Sequence, residues 1–156
     1  MLVQLNRQTG PRIFTVTATD LPINPASLPA ARDPQPVVAV FGHPGRVAGL
    51  LPHLPPGWSM RRPADLDDVL PNEMVLFAGA TVRDVAAARR VLPHRTRVVA
   101  LVDDEAPAEV VSGVLTAGAD VCVRGGQPAI LASHLVACHR RQLAERWDRR
   151  DVQHRH

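Results

Sequence analysis

Apolar residues occur in this chain as short, nearly continuous blocks separated by polar and turn-forming stretches. Residues 37–41, 74–78 and 97–102 are almost entirely apolar, which is typical of strands buried on both faces of a parallel sheet. Residues 58–61 form a weaker block, and residues 119–123 form a fifth. From residue 37 onwards, the pattern therefore predicts five strands.

Helices are predicted between the later strands, and their ends carry recognisable signals. Thr81 and Asp84 have capping-box spacing ahead of a helix that must end before Pro93. Pro107 suits the first turn of the next helix and Gly118 its end.

The remaining helical stretches differ greatly in length. Apolar residues at helical spacing follow the first strand, but Pro52 must cut that helix short. Residues 65–70 allow only a short helix. Pro128 begins a last helix that we expect to run to about Arg149.

Alternation of strand and helix predicts an α/β protein with a doubly wound parallel sheet. Five such units after residue 36 suit a five-stranded sheet of flavodoxin-like order. We expect an N-terminal arm and Pro-rich linker at 1–36, the sheet domain at 37–142, and a helical extension with a basic tail at 143–156.

The N-terminal arm allows two interpretations. Residues 13–19 are β-prone, with alternate residues on opposite faces. Five prolines between residues 22 and 36 then interrupt any helix. The segment is either a disordered leader and linker or an arm whose strand adds to a sheet edge.

Composition changes this picture only modestly. All 18 basic residues are Arg, but the net charge is only +3, so the chain as a whole is not strongly attracted to nucleic acid. Cys122 and Cys138 lack CxxC spacing, which fits a reducing compartment. Without a leader pattern or a long apolar run, we expect a soluble, cytoplasmic protein with no membrane partner.

The segment Gly118-Ala-Asp120, followed by a short apolar strand, resembles the corresponding turn of response-regulator receiver domains. Pro44 and Arg46 also lie where receivers often have Pro and Arg after the first strand. The resemblance covers roughly residues 36–142. It implies a receiver-like fold, with its functional site at the carboxyl ends of the strands.

The chemical motif of that family is missing, however. The resemblance places apolar residues, glycine, histidine and arginine where receivers have the acidic cluster, phosphoryl acceptor, hydroxyl and lysine. These positions are Phe41, Gly42, His43, Ala78, Val102, Arg124 and Gly125. Mg²⁺ prefers oxygen ligands and Ala78 has no nucleophile, so aspartyl phosphorylation is not expected.

The resemblance thus suggests a degenerate receiver that acts without phosphorylation, catalysis, cofactor or metal. We expect a regulatory module that works through protein–protein interaction or dimerisation, with control of transcription as one output. Nucleic acid would be contacted only through a missing or separate effector. A partner or small ligand would shift its conformational population.

The last helix supplies the candidate interaction surface. Val136, His139, Leu143 and Trp147 form a second stripe beside the one expected to pack on the sheet. Receivers commonly associate through their last two helices and the strand between them, here about residues 107–145. We therefore expect a homodimer or another protein partner along this helix.

Three alternative sites remain open. The turn at 42–49, with His43, Arg61 and Arg62, would suit a small nucleotide-binding protein or enzyme, although it lacks GxGxxG spacing. The C-terminal arginines would suit contact with nucleic-acid phosphates. The acids at 103–105 are more simply a solvated loop than a metal site.

Overall fold

The computed structural model describes residues 35–155. The arm predicted at the N-terminus lies outside the described residues, except for Gln35 and Pro36. The strands are β1 (Val37–Gly42), β2 (Ser59–Arg61), β3 (Met74–Ala78), β4 (Val98–Val102) and β5 (Val121–Arg124). The α-helices are α1 (Val82–Val91), α2 (Ala108–Thr116) and α3 (Pro128–His154).

The strands form one five-stranded sheet in the order β2-β1-β3-β4-β5. All neighbouring pairs are parallel. This is the doubly wound, flavodoxin-like α/β arrangement predicted from the sequence. Gly42 pairs with Ala78, and Ala78 with Leu101, so the carboxyl ends of β1, β3 and β4 lie at one edge of the sheet.

Each face of the sheet has its own apolar core. One face packs α3 and the segment after β1 on the sheet, through Leu50, Leu135 and Cys138, which are all fully buried. The other face packs α1 and α2, through Val85 and Val114. Burial on both faces explains why β3 and β4 are apolar at every position.

The first two connections are shorter than full helical crossovers. After β1 the chain makes only two 3-10 turns, Pro44–Val47 and Leu51–His53, where the spacing had predicted a short helix. Pro52 occupies the second turn, where its missing N–H prevents continuation as an α-helix. Between β2 and β3 there is a single 3-10 turn, Leu66–Asp68.

Two element boundaries also differ from the sequence predictions. β5 begins at Val121, two residues later than expected, because Asp120 belongs to the turn that precedes it. α3 ends at His154, whereas an end near Arg149 was expected. At 27 residues, α3 is about 40 Å long.

Within residues 35–155, no helix is both long and apolar enough to cross a membrane.

Asp120 joins α1 and β4 to the turn before β5, at the amino-terminal edge of the sheet. Its carboxylate accepts hydrogen bonds from Arg89 of α1 (2.8 Å), from Arg97 just before β4 (3.0 Å) and from the backbone N–H of Val98 (2.8 Å). Arg97 also pairs with Glu145 of α3. The Asp120 side chain is only 23% exposed, so these charge-assisted bonds are partly shielded from solvent.

A second ion pair fixes the connection between β2 and β3. Arg61 donates to both carboxylate oxygens of Glu73, at 2.5 and 2.7 Å, and the Leu70 N–H donates to one of them at 2.8 Å. Burial alone would raise the pKa of Glu73, but the hydrogen bonds from Arg61 and Leu70 outweigh it and lower that pKa.

We expect Asp120→Asn to lower the free energy of unfolding by about 1–3 kcal/mol, because Arg89 and Arg97 lose their shared carboxylate. Asp148→Asn, on the exposed part of α3, is the matched control and should change it by less than about 0.5 kcal/mol. Urea unfolding measures both. Equal stabilities for the two variants would contradict the role assigned to Asp120.

Candidate functional site

The structure brings the predicted site residues to the carboxyl edge of the sheet. Gly42 and Ala78 are register partners at the ends of β1 and β3, and Val102 pairs with Arg124 at the ends of β4 and β5. The N–H of His43 donates to the Ala78 carbonyl at 3.0 Å, and the N–H of Gly125 to Val102 at 3.2 Å. The seven positions therefore form a continuous edge of neighbouring strands.

The centre of this edge offers no nucleophile. Ala78 is completely buried and Val102 is 2% exposed, so methyl and isopropyl groups occupy the ends of β3 and β4. The Phe41 ring packs against Phe77, with ring centroids 5.5 Å apart. Among residues 35–155, no group of three or more His, Cys, Asp or Glu is placed to hold a metal ion.

An ion pair that sequence reasoning missed crosses this edge. Arg46, in the turn after β1, pairs with Asp103, directly after β4. A cavity of about 390 Å³ beside them is lined by these two residues and by Gly45, Leu101, Val102, Asp104, Gly125 and Gly126. The Asp103 side chain is 70% exposed, so the pair contributes less than about 1 kcal/mol. The sequence could have predicted this pair, because Arg46 and Asp103 each follow a strand that ends at the same edge of the sheet.

The glycine-rich turn at 42–49 has a structural explanation. Gly42 has φ +91°, and a Cβ there would lie 2.3 Å from the Ala78 carbonyl oxygen. Glycine is therefore required by the close approach of β3, whatever ligand is considered. The His43 ring lies close to Gly79: a Cβ added at Gly79 would be 3.1 Å from Cδ2 of that ring.

The geometry does not favour the alternative nucleotide site. Dinucleotide sites place the pyrophosphate at the N-terminus of an α-helix after the first strand, but here a four-residue 3-10 turn follows β1. Arg61, proposed to meet a phosphate, already pairs with Glu73. Arg62 is exposed.

The predicted stripe on α3 is only partly available to a partner. The ring of His139 lies edge-on to Trp58 of the same domain, with centroids 5.2 Å apart, and Val136 and Leu143 are half-buried. Trp147 is 59% exposed, with the Arg150 guanidinium 5.4 Å from its ring centroid. Val152, which the sequence analysis did not select, is equally exposed at 59%.

Both cysteines are free thiols, and burial raises the pKa of each. A raised pKa keeps a thiol protonated and poorly nucleophilic at neutral pH. Cys138 is fully buried between α3 and the sheet. The thiols therefore do not add a reactive group to this edge.

Comparison of the sequence with protein-family models and with curated proteins finds no match in either. The resemblance to receivers consequently depends on the order of the elements and on the turn at Gly118–Asp120. The fold itself is established by the sheet order.

Gly42→Ala should destabilise the protein by at least about 2 kcal/mol, because alanine is strained at this φ and its Cβ overlaps the Ala78 oxygen. Gly45→Ala is the matched control in the same turn, since nothing lies within 4 Å of a Cβ there. Its effect on the free energy of unfolding should stay within about 1 kcal/mol. Thermal or urea unfolding distinguishes the two variants. If Gly42→Ala left the stability unchanged, this turn would not be held against β3.

Proposed function

We propose that this chain is a receiver-like regulatory module that acts without phosphorylation, through protein–protein contact made by α3. The observation that carries the proposal is the length of α3 beyond the core. The last buried residue of the helix is Gln142, and the helix continues to His154 with Trp147 and Val152 exposed. Every residue from Trp147 to His154 is exposed, so this end of the helix is more than packing on the sheet requires.

The chemistry of the carboxyl edge supports this proposal. In a phosphorylated receiver, the ends of the strands must supply carboxylates and a nucleophile, and Ala78 and Val102 supply neither. The Arg46–Asp103 pair joins the loops after β1 and β4 without any added group. Signalling would therefore be by a partner that binds one conformation better than another.

A second copy of the chain is the partner that we propose first. Acidic and basic residues are interspersed along the exposed end of the helix, namely Asp148, Arg149, Arg150 and Asp151, so two antiparallel copies can place opposite charges together. Trp147 supplies a large apolar anchor of the kind that dominates interfaces. We place the protein in the cytoplasm, where two free thiols are compatible with the reducing environment.

The full chain should form a dimer that Trp147→Ala weakens by about 30-fold, as expected for removal of an aromatic anchor. Leu70→Ala is the matched control, because Leu70 is also 59% exposed but lies in the loop before β3. Sedimentation velocity over a range of concentrations measures both. A chain that stays monomeric throughout excludes the homodimer, and a dimer unaffected by Trp147→Ala excludes α3 as its interface.

Incubation with acetyl phosphate and Mg²⁺ should leave the protein unmodified, because the strand ends lack the acceptor and its metal ligands. Intact-mass spectrometry gives the readout, and a phosphorylatable receiver treated in parallel controls for reagent activity. Stoichiometric phosphorylation that hydroxylamine removes would identify an acyl phosphate and refute the proposed mechanism.

A further inference from the structure

A second depression lies at the carboxyl edge, on the face of the sheet that carries α1. It has a volume of about 250 Å³ and is bounded by the ends of β1 and β3, by the turn before β3 and by α1. Its lining includes Phe41, Phe77, Asp65, Asp84 and Ala87. Gly42 and Ala78 also line it, so the depression adjoins the site described above, whereas Asp65, Phe77, Asp84 and Ala87 lie outside that site.

The short connection between β2 and β3 explains why this depression exists. A doubly wound sheet is ordinarily covered by a helix at each crossover, but here the chain makes only the 3-10 turn Leu66–Asp68. α1 therefore has no full helix beside it on this side. The carboxyl ends of β1 and β3 are left partly uncovered, at the point where the strand order reverses and where α/β sheets commonly bind ligands.

The floor of the crevice is aromatic. Phe41 and Phe77 are register partners on adjacent strands, and their rings are inclined by 32° with centroids 5.5 Å apart. Phe77 is 7% exposed, whereas Phe41 is half-buried. A planar apolar ring can stack on this surface, and a cation can be attracted to the faces of the phenyl rings.

The rim of the crevice carries two carboxylates without a cationic partner among residues 35–155. One oxygen of Asp65 accepts from the Leu66 N–H at 2.9 Å, and one oxygen of Asp84 accepts from Thr81. Neither residue forms a salt bridge within the described part of the chain. The crevice thus combines an aromatic floor with two carboxylates that cap turns but that no cationic side chain among residues 35–155 neutralises.

We propose that this crevice binds a small organic cation with a single aromatic ring, the ring against Phe41 and Phe77 and the cationic group towards Asp65 and Asp84. Both the floor and the rim favour a cation over a neutral or anionic ligand. The volume is below the roughly 300–1,000 Å³ of pockets for drug-sized molecules, which limits the ligand to about one ring. This proposal is independent of dimerisation through α3.

Titration of the ¹⁵N-labelled full chain with benzamidine, followed by two-dimensional NMR, tests the proposal. Benzamidine should bind saturably with a Kd in the millimolar range or below, and should shift the amides of Gly42, Gly79 and Ala87. Benzamide has nearly the same shape without the charge and should bind at least about ten-fold more weakly. Equal affinity for the two compounds, or no saturable shift, would overturn the proposal.

Two variants locate the binding. Asp65→Asn keeps a side chain that can cap the turn but removes a charge, and should weaken benzamidine by about five-fold. Asp67→Asn, in the same turn but outside the crevice, is the matched control and should bind normally. Ala87→Leu should fill the crevice and abolish binding without unfolding α1. Unchanged binding in Asp65→Asn and Ala87→Leu would place benzamidine elsewhere and refute the site.

Discussion

The carboxylate of Asp120 is the interaction on which the packing of this domain most depends. It receives hydrogen bonds from α1, from the residue before β4 and from the backbone of β4 itself. Arg89 extends the connection by donating to the carbonyls of Gly118 and Thr96, at 2.7 and 2.8 Å. One acidic residue in the turn just before β5 therefore sets the positions of α1, β4 and β5 relative to one another. The same network reaches α3 through Arg97 and Glu145.

This arrangement gives the two edges of the sheet different roles. Within residues 35–155, the amino-terminal edge is held by charged side chains with several partners each, whereas the carboxyl edge carries one exposed ion pair, Arg46–Asp103. Stabilising interactions thus lie away from the edge at which α/β sheets bind ligands. A change of conformation at the carboxyl edge would break fewer ion pairs than one at the amino-terminal edge, which suits the regulatory role that we propose.

The sequence predicted the sheet well because strands buried on both faces leave a continuous apolar signal, as in residues 74–78. The capping box of α1 was equally readable, since Thr81 and Asp84 form both of its hydrogen bonds. The short crossovers were harder to predict, because apolar spacing does not distinguish a helix from successive 3-10 turns.

The Arg46–Asp103 pair and the Phe41–Phe77 contact join residues distant in sequence, and only the register of β1, β3 and β4 brings each pair together. His139 was placed on the right helix, but its contact with Trp58 could not be read from helical spacing alone.

The position of Glu145 connects the amino-terminal edge to the proposed interaction surface. It lies three residues after Gln142, the last buried residue of α3, and two residues before the exposed Trp147. Its pair with Arg97 therefore holds the helix where it leaves the core. A partner that binds around Trp147 acts on a helix whose base is joined, through Arg97 and Asp120, to β4 and α1. α1 also borders one depression at the opposite edge and β4 the other. These elements therefore connect the proposed partner surface with the proposed ligand site, and coupling between the two would require a shift of these elements.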